Sequence, residues 1–312
     1  WLFIFLAGLV SLLKDRRKVM IHAGQILETG VAALVLSRLF AVPYVVHVYG
    51  EEINHYAKRG FTKRLMRRVL AGASAVTSIS HYTSARLKEL GLHLGPVELV
   101  RPAVDTERFA GRGGQEARAS LGLGANALVL LTVSRLMKRK GHDTVLRALP
   151  QVLQRHPEVV YLIGGEGTQE TRLRKMTQEL GLEAQVRFLG SVAPEQLEGL
   201  YSAADLFVHP NREVDGDIEG FGMVFLEASA CSVPVVGGNS GGTPDAVQDG
   251  ISGFLVDPDD VADLTRAILR LLEDAALRRG AGAAGPAWAR QFTWEKAAGQ
   301  IQALTRKAFD RR

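Results

Sequence analysis

Two carboxylates eight positions apart, Glu219 and Glu227, are the residues best placed to do chemistry; they lie in the run Asp217-Ile-Glu-Gly-Phe-Gly-Met-Val-Phe-Leu-Glu-Ala-Ser-Ala-Cys231. Carried on one helix they would stand about 12 Å apart along its axis, enough to bracket a diphosphate with a sugar at one end and a ribose at the other. Gly220 and Gly222 let the backbone come close to a ligand, and the free N–H groups of a helix start attract phosphate oxygens. A second set lies in Leu131-Thr-Val-Ser-Arg135-Leu-Met-Lys-Arg-Lys140-Gly141. Arg135 offers a planar fork and Lys140 a point charge, a pair suited to neutralising a departing pyrophosphate. Taken singly, each of these residues has a plainer reading. Glu219 is then a helix-start carboxylate favoured by the dipole, and the others are solvated charges. The two sets together argue otherwise, because both fall at the carboxyl ends of strands in one series, where open α/β sheets bind ligands.

The elements that must position them follow from hydrophobic runs. Short β-branched stretches alternate with longer helical patterns at Val19 to Ala23, Pro43 to Val48, Ala75 to Ile79 and Val97 to Val100, and they read as parallel strands. The pattern restarts at Ala127 to Val133 and continues through Glu158 to Gly164, Val186 to Leu189, Asp205 to Pro210, Pro234 to Gly237 and Gly253 to Val256. Between the series, five glycines crowd into Thr106 to Asn126, which sets a domain boundary there. Residues 1–110 are expected to form an N-terminal Rossmann-like domain and 111–292 a second one. The last segment, 293–312, is expected to be a helix with Ile301, Leu304 and Phe309 on its apolar side. The first series is short of the usual six strands, so that domain is expected to lack its first elements.

Composition excludes more than it selects. The chain has 46% hydrophobic and 23% charged residues, an ordinary globular balance without disordered or collagen-like bias. Cys231 is the single cysteine, so no internal disulfide can form, and a reducing, cytosolic setting fits best. A net charge of +5 suits anionic ligands or an acidic membrane face. The apolar run Trp1 to Leu13 stops at Lys14, short of the roughly 20 residues a membrane span needs, and is read as a buried helix rather than the tail of a signal anchor.

In their order and spacing, Arg135-x4-Lys140-Gly141 and Glu219-x7-Glu227 resemble glycosyltransferase family 4, together with Ser80 in Ser78-Ile-Ser-His81, Arg101-Pro-Ala-Val-Asp105, Gly164-Gly-Glu-Gly167, Phe188-Leu-Gly190 and Gly237-Gly-Asn-Ser-Gly-Gly242. Asp217-Ile-Glu-Gly-Phe-Gly looks most like the bacterial mannosyltransferases that act on phosphatidylinositol. The resemblance covers nearly the whole chain. It implies a GT-B fold, two Rossmann-like α/β domains with parallel sheets facing a cleft, the C-terminal helix crossing back to the first domain. It implies a retaining hexosyltransferase that needs no metal or other cofactor. The donor would be a nucleotide-diphosphate sugar, GDP-mannose before UDP-linked sugars, and the acceptor a glycolipid or glycan precursor. By that likeness Arg135 and Lys140 hold the diphosphate, Glu227 the ribose hydroxyls, and Glu219 the transferred sugar as the catalytic carboxylate. Backbone N–H groups of Phe221, Gly222, Met223 and Val224 meet sugar and phosphate oxygens, and backbone near Val192 meets the base. Front-face substitution through an oxocarbenium-like state, with a donor phosphate oxygen taking the acceptor's proton, leaves the protein to supply position and charge.

Three departures from the family's pattern stand out. The strand and glycine-rich phosphate loop with which the family usually begins are not among the residues from Trp1 onward, in line with a first domain expected to lack its first elements. Tyr49-Gly50 replaces the usual His-Gly, with His47 about 7 Å further back on the same strand face, so both are acceptor-side candidates. Pro102-Ala103 stands where Asn-Gly is usual. Rival readings are a nucleotide-sugar epimerase or phosphorylase of the same shape, and a non-catalytic nucleotide-sugar-binding protein. Other signals are set lower. Asp215-Gly-Asp217 matches a metal-binding Asp-x-Asp but reads better as a turn, and Gly165-Glu-Gly167-Thr-Gln-Glu170 lacks the third glycine of a dinucleotide fingerprint. His209 reads as a strand-end residue lining the cleft rather than a base. Lys58, Arg59, Lys63, Arg64, Arg67 and Arg68 flank an apolar stripe of Phe61, Leu65, Val69 and Leu70, which is either a helix packed on its own sheet or one lying on an anionic membrane. The expected place is the cytoplasm, with peripheral contact at the inner membrane face and no nucleic-acid partner.

Overall fold

The computed structural model describes residues 19–93 and 95–310, so the Trp1 to Leu13 helix expected from sequence lies outside the described residues. The chain divides into two compact units: one runs through Pro102 and takes in the chain from Glu295 onward, the other is Ala103–Trp294.

The first unit is built in the order β1 (Ile21–Ala23), α1 (Gly30–Phe40), β2 (Tyr44–Val48), α2 (Glu51–Tyr56), α3 (Gly60–Gly72), β3 (Ala75–Ser78), α4 (His81–Glu89) and β4 (Glu98–Leu99). Its strands lie side by side as β1-β2-β3-β4, all parallel, because each is separated from the next by a crossover that contains a helix. Tyr44, Val46, Val48, Met66, Val69, Val76 and Leu87 close its core. Ser80 caps α4, its hydroxyl accepting from the Thr83 N–H at 3.2 Å.

The second unit follows as α5 (Gly114–Ser120), β5 (Leu128–Val133), α6 (His142–Arg155), β6 (Val159–Gly164), α7 (Glu170–Glu179), β7 (Val186–Gly190), α8 (Leu197–Ser202), β8 (Leu206–His209), α9 (Met223–Ala230), β9 (Val235–Gly238), α10 (Thr243–Ala246), β10 (Gly253–Val256), α11 (Val261–Glu273) and α12 (Ala275–Ala289). Its six parallel strands run β10-β9-β8-β5-β6-β7. The central strands read as near-continuous apolar runs, Leu-Val-Leu-Leu-Thr-Val in β5 with only the hydrogen-bonded Thr132 polar, as expected of a parallel sheet covered on both faces. The order reverses between β5 and β8, neighbours in space and far apart in sequence, which is the topological switch point of a doubly wound sheet. Helix α13 (Trp294–Asp310) ends the described chain, and its Lys307 lies 3.7 Å from Glu98 of the first unit.

All ten strands read from the sequence are present. The glycine-rich stretch differs in where it parts the chain: the units divide at Ala103, ahead of the expected 110/111 boundary. Residues after Ala103 are already packed on the second unit. The Val104 N–H donates to Phe292 O at 2.9 Å, and the Phe109 ring meets Tyr201 edge-on.

Candidate functional site

The loops that leave β5 and β8 at the switch point carry the charged residues singled out in the sequence. After β5 the chain makes a single 3₁₀ turn, Lys138–Lys140, and passes through Gly141 at φ 77°. A Cβ at Gly141 would sit 2.1 Å from the Pro210 carbonyl oxygen, so only glycine allows this turn to press against the end of β8. That contact brings Arg139 and Lys140 into the interior, both buried.

The loop after β8 meets them. Asp215 and Gly216, at φ 56° and 88°, form the tip of a two-residue hairpin closed by paired hydrogen bonds between Val214 and Asp217 of 2.9 and 3.0 Å. Asp-Gly is the sequence such a tip favours, and the turn reading of Asp215-Gly-Asp217 holds. The hairpin is anchored on both sides. Buried Arg212 donates to both oxygens of Asp143 at 2.8 and 2.9 Å and to the Thr144 hydroxyl at 2.8 Å. On the other side Asp217 lies 2.8 Å from Arg139 Nε, an ion-pair contact without hydrogen-bond alignment. Beyond the hairpin, Glu219 Oε2 accepts from Arg139 Nη1 at 2.9 Å and from Lys140 Nζ. The backbone of Glu219 is fixed as well. Its carbonyl accepts the Gly242 N–H at 2.9 Å; a Cβ at Gly242 would fall 1.9 Å from the Gly220 oxygen and one at Gly241 2.3 Å from the Glu219 oxygen, which explains the second glycine pair of Gly237-Gly-Asn-Ser-Gly-Gly242.

Electrostatics make this a fixed anion in a basic nest. Burial works to raise the Glu219 pKa, but Lys140 and Arg139 outweigh it and hold it below the usual value. Burial lowers the Lys140 pKa, with Glu219 opposing and Arg139 and Arg135 assisting. Asp143 is likewise held low, its burial outweighed by Arg212 and Arg147. The nearby histidines stay neutral: burial brings His142 to about 4 and, with Lys140 and His142 beside it, His209 well below 6.5. His209 is fully buried between the Phe207 and Phe225 rings, so it does not line an open surface as the sequence suggested.

Helix α9 begins at Met223, with Gly222 as its N-cap at φ 93°. Glu219 therefore stands on the loop before the helix, and the spacing of two residues on one continuous helix does not apply to Glu219 and Glu227. The first turn presents the N–H groups of Met223 and Val224 as any helix start does; Met223 is exposed, Val224 half-buried, Phe221 buried. Glu227 is half-buried rather than solvated and accepts from the Tyr201 hydroxyl at 2.7 Å. Burial raises its pKa, only partly offset by that bond and by Arg108. Arg135 is exposed, at the mouth of the loop that holds Lys140. Val192, half-buried, lines a groove of about 560 Å³ with Leu189, Ser191, Glu195 and Leu200.

In the first unit the acceptor-side candidates separate. Tyr49 is 50% exposed. His47 is half-buried, its Nε2 3.0 Å from His22 Nδ1 and its Nδ1 2.8 Å from the Thr77 hydroxyl, with the two imidazoles stacked. Burial, reinforced by His22, brings the His47 pKa to about 4. On α3 the apolar stripe is largely taken up by the unit's own core: Val69 and Leu70 are fully buried, Leu65 is half-buried, and Phe61 stays 76% exposed.

Sequence reasoning missed three partners. Arg139 was legible only as one of three basic residues in Lys138-Arg-Lys140, Asp217 only as a turn or metal residue, and Tyr201 not at all. Among the described residues, no three His, Cys, Asp or Glu side chains come together as a metal site, and no helix is long and apolar enough to cross a membrane.

Residues 114–288 match the family described as glycosyl transferases group 1, and residues 1–108 match glycosyltransferase family 4. A GDP-mannose-dependent alpha-(1-6)-phosphatidylinositol monomannoside mannosyltransferase of Mycolicibacterium smegmatis is 38% identical over 251 residues, 78% of this chain and 65% of that protein. A D-inositol 3-phosphate glycosyltransferase of Streptomyces bingchenggensis is 32% identical, over 89% of this chain and 64% of that protein. The chain thus spans just under two thirds of the length of these relatives. Among solved structures, sucrose-phosphate synthase from Thermosynechococcus elongatus superposes with a TM-score of 0.83 at 28% identity, covering 99% of this chain and 78% of that one. Anabaena HepE in complex with UDP-glucose gives 0.78 at 25% identity, over 95% and 80%.

Proposed function

Because the chain belongs to the glycosyl transferases of group 1 and has the GT-B fold, we propose that it transfers a hexose, with mannose from GDP-mannose as first choice, to a glycolipid or glycan-precursor acceptor with retention of configuration. The observation that carries this reading is Glu219, its side chain only 14% exposed, held ionised and oriented by Arg139 and Lys140 just ahead of the α9 N-terminus. A carboxylate in such a place accepts hydroxyl hydrogens of a sugar whose diphosphate rests on the helix start. Relatives named for GDP-mannose support the choice of donor.

In this reading Arg135 and Lys140 take the diphosphate, with the Phe221, Gly222, Met223 and Val224 N–H groups, while Glu227, steadied by Tyr201, takes the ribose hydroxyls. The base lies near Val192. The bond from the anomeric carbon to the diphosphate breaks, the acceptor oxygen bonds to that carbon on the same face, and the acceptor's proton passes to a diphosphate oxygen. The protein's part is to place the groups and stabilise the leaving charge; no metal is assigned a role. The exposed basic side of α3, with Phe61, is the surface we assign to peripheral contact with an anionic inner membrane face.

Calorimetry with GDP, UDP, ADP and GDP-mannose tests the donor site, with Glu227→Ala and Arg135→Ala as controls. GDP is expected to bind best and to lose affinity in both variants. Release of free nucleotide only when acceptor is added separates transfer from epimerisation. Equal binding in wild type and both variants would overturn the donor site.

A further inference from the structure

Four basic side chains, Arg135, Lys138, Arg139 and Lys140, lie within six residues of one another, Lys138 exposed, and a diphosphate needs only two of them. Arg139 is poorly placed to be one of the two. Its guanidinium is buried and spoken for on two edges, by Glu219 at Nη1 and by Asp217 at Nε. Its backbone carbonyl accepts the Arg212 N–H at 2.8 Å, tying the same residue to the foot of the hairpin. Lys140 shares with Arg139 a single oxygen of Glu219, Oε2. One carboxylate oxygen thus carries two cations, and they differ in kind. A lysine is a point charge on a flexible stem and can be given to another anion, whereas a guanidinium fork held on two edges cannot turn without breaking both contacts.

We propose that Arg139 is a positioning residue for sugar transfer: it clamps Glu219 and Asp217 together and keeps the Glu219 carboxylate aimed when Lys140 swings to the diphosphate of the donor. The inference rests on the donor-site reading above. Without Arg139, that swing would leave a largely buried carboxylate with no cation beside it, and burial favours its neutral form. The charged groups that face Glu219 are Arg139 and Lys140 from the turn after β5; Asp217 of its own loop faces Arg139, and Arg135 acts on Lys140 from further along the β5 turn. His209 at the end of β8 is neutral, and the 239–242 loop contributes backbone.

The test uses the whole chain with Arg139→Met and Arg139→Lys, read by calorimetry with GDP and GDP-mannose, steady-state kinetics across pH, and an NMR titration of the Glu219 carboxyl. Arg139→Met is expected to bind GDP within about twofold of wild type, since GDP does not reach Glu219, while GDP-mannose binding weakens about tenfold. Turnover should fall about a hundredfold, and the Glu219 titration and the acid limb of kcat/KM should move up together by about one unit. Arg139→Lys restores the position of that limb, because the charge is back, but only part of the turnover, because the fork is not. Asp217→Asn loosens the clamp from its far side without touching Arg139, and should reproduce the split at smaller size, GDP binding kept while GDP-mannose binding and turnover fall, even if Arg139→Met folds poorly; the Glu219 titration is not its readout, because removing a like charge opposes the upward move. Equal loss of GDP and GDP-mannose binding would assign Arg139 to phosphate binding or to general stability and overturn the proposal. An unmoved Glu219 titration in Arg139→Met, or equal loss of GDP and GDP-mannose binding in Asp217→Asn, would overturn it as well. If wild type binds neither ligand, the transferase reading fails, and the titration still decides whether Arg139 governs Glu219.

Discussion

The strand ends of the two units present opposite chemistry. In the second, Glu219 answers Arg139 and Lys140, and Asp143 answers Arg212, all of them with largely buried side chains. In the first, the corresponding ends of β1 and β2 carry two stacked, uncharged imidazoles bonded to each other and to a threonine, with an exposed tyrosine beyond. Pairs such as Arg139–Glu219 and Arg212–Asp143, fixed before a ligand arrives, suit a ligand whose own charge grows during reaction, since little reorganisation is then required. Neutral donors and acceptors suit hydroxyl groups, which gain from hydrogen bonds and little from a net field. The contrast supports a division of labour in which the second unit handles the anionic donor and the first a polyol acceptor.

The largest expected effect is a break of the charged side at its centre. Glu219→Gln keeps the shape and removes the charge, and turnover is expected to fall by about 10²–10³, measured as nucleotide release with acceptor present. Next comes the support beneath it. Asp143→Asn strips Arg212 of its buried partner and should cost about 3 kcal/mol of stability in urea unfolding, because a buried charge is left unpaired. A third variant sharpens the nucleotide end. Tyr201→Phe deletes the hydrogen bond to Glu227 and should weaken GDP binding by about three- to tenfold. It should also let the raised Glu227 pKa climb further; on the proposed reading, in which the ionised form binds ribose, GDP affinity is lost as pH falls, and in Tyr201→Phe that loss begins at higher pH. The smallest effect belongs to the neutral side. The His47 pKa, about 4 when folded, lies below the 6.5 of an unperturbed histidine. The unfolded chain therefore binds more protons, and stability is whole above about pH 6.5 and declines towards pH 4. His47→Asn should flatten that decline in the first unit and leave GDP binding unchanged. A shift in GDP binding with His47→Asn would break the comparison.

Much of the fold was legible because buried parallel strands must be apolar on both faces, and that leaves β-branched runs such as Val129 to Val133 in plain view. Arg135, Lys140, Glu219 and Glu227 were visible as candidates too, since they lie in the segments that follow β5 and β8. Pairing was not. Tyr201 is 26 positions from Glu227 and Arg139 is 80 from Glu219, and nothing local marks either as a partner. The boundary at Ala103 was hidden for a related reason: glycines signal where a chain can bend, while the packing of Val104 and Phe109 decides which unit owns the residues before the bend. Burial of His209 depends on two phenylalanines, one of them 16 positions away, and so was equally out of reach.

The hairpin of Val214 to Asp217 is held at its base and open at its end. Its feet are clamped by Arg212 and Arg139, while Asp215 at its tip is exposed. A segment built this way can change length at the tip without disturbing what the feet hold, because the added chain closes a loop whose ends are already fixed. It is therefore a natural graft point, where residues inserted between Asp215 and Gly216 would be carried close to the Arg139–Glu219 pair with little disturbance of the scaffold. Diversification of this protein, whether by drift or by design, has its easiest entry there.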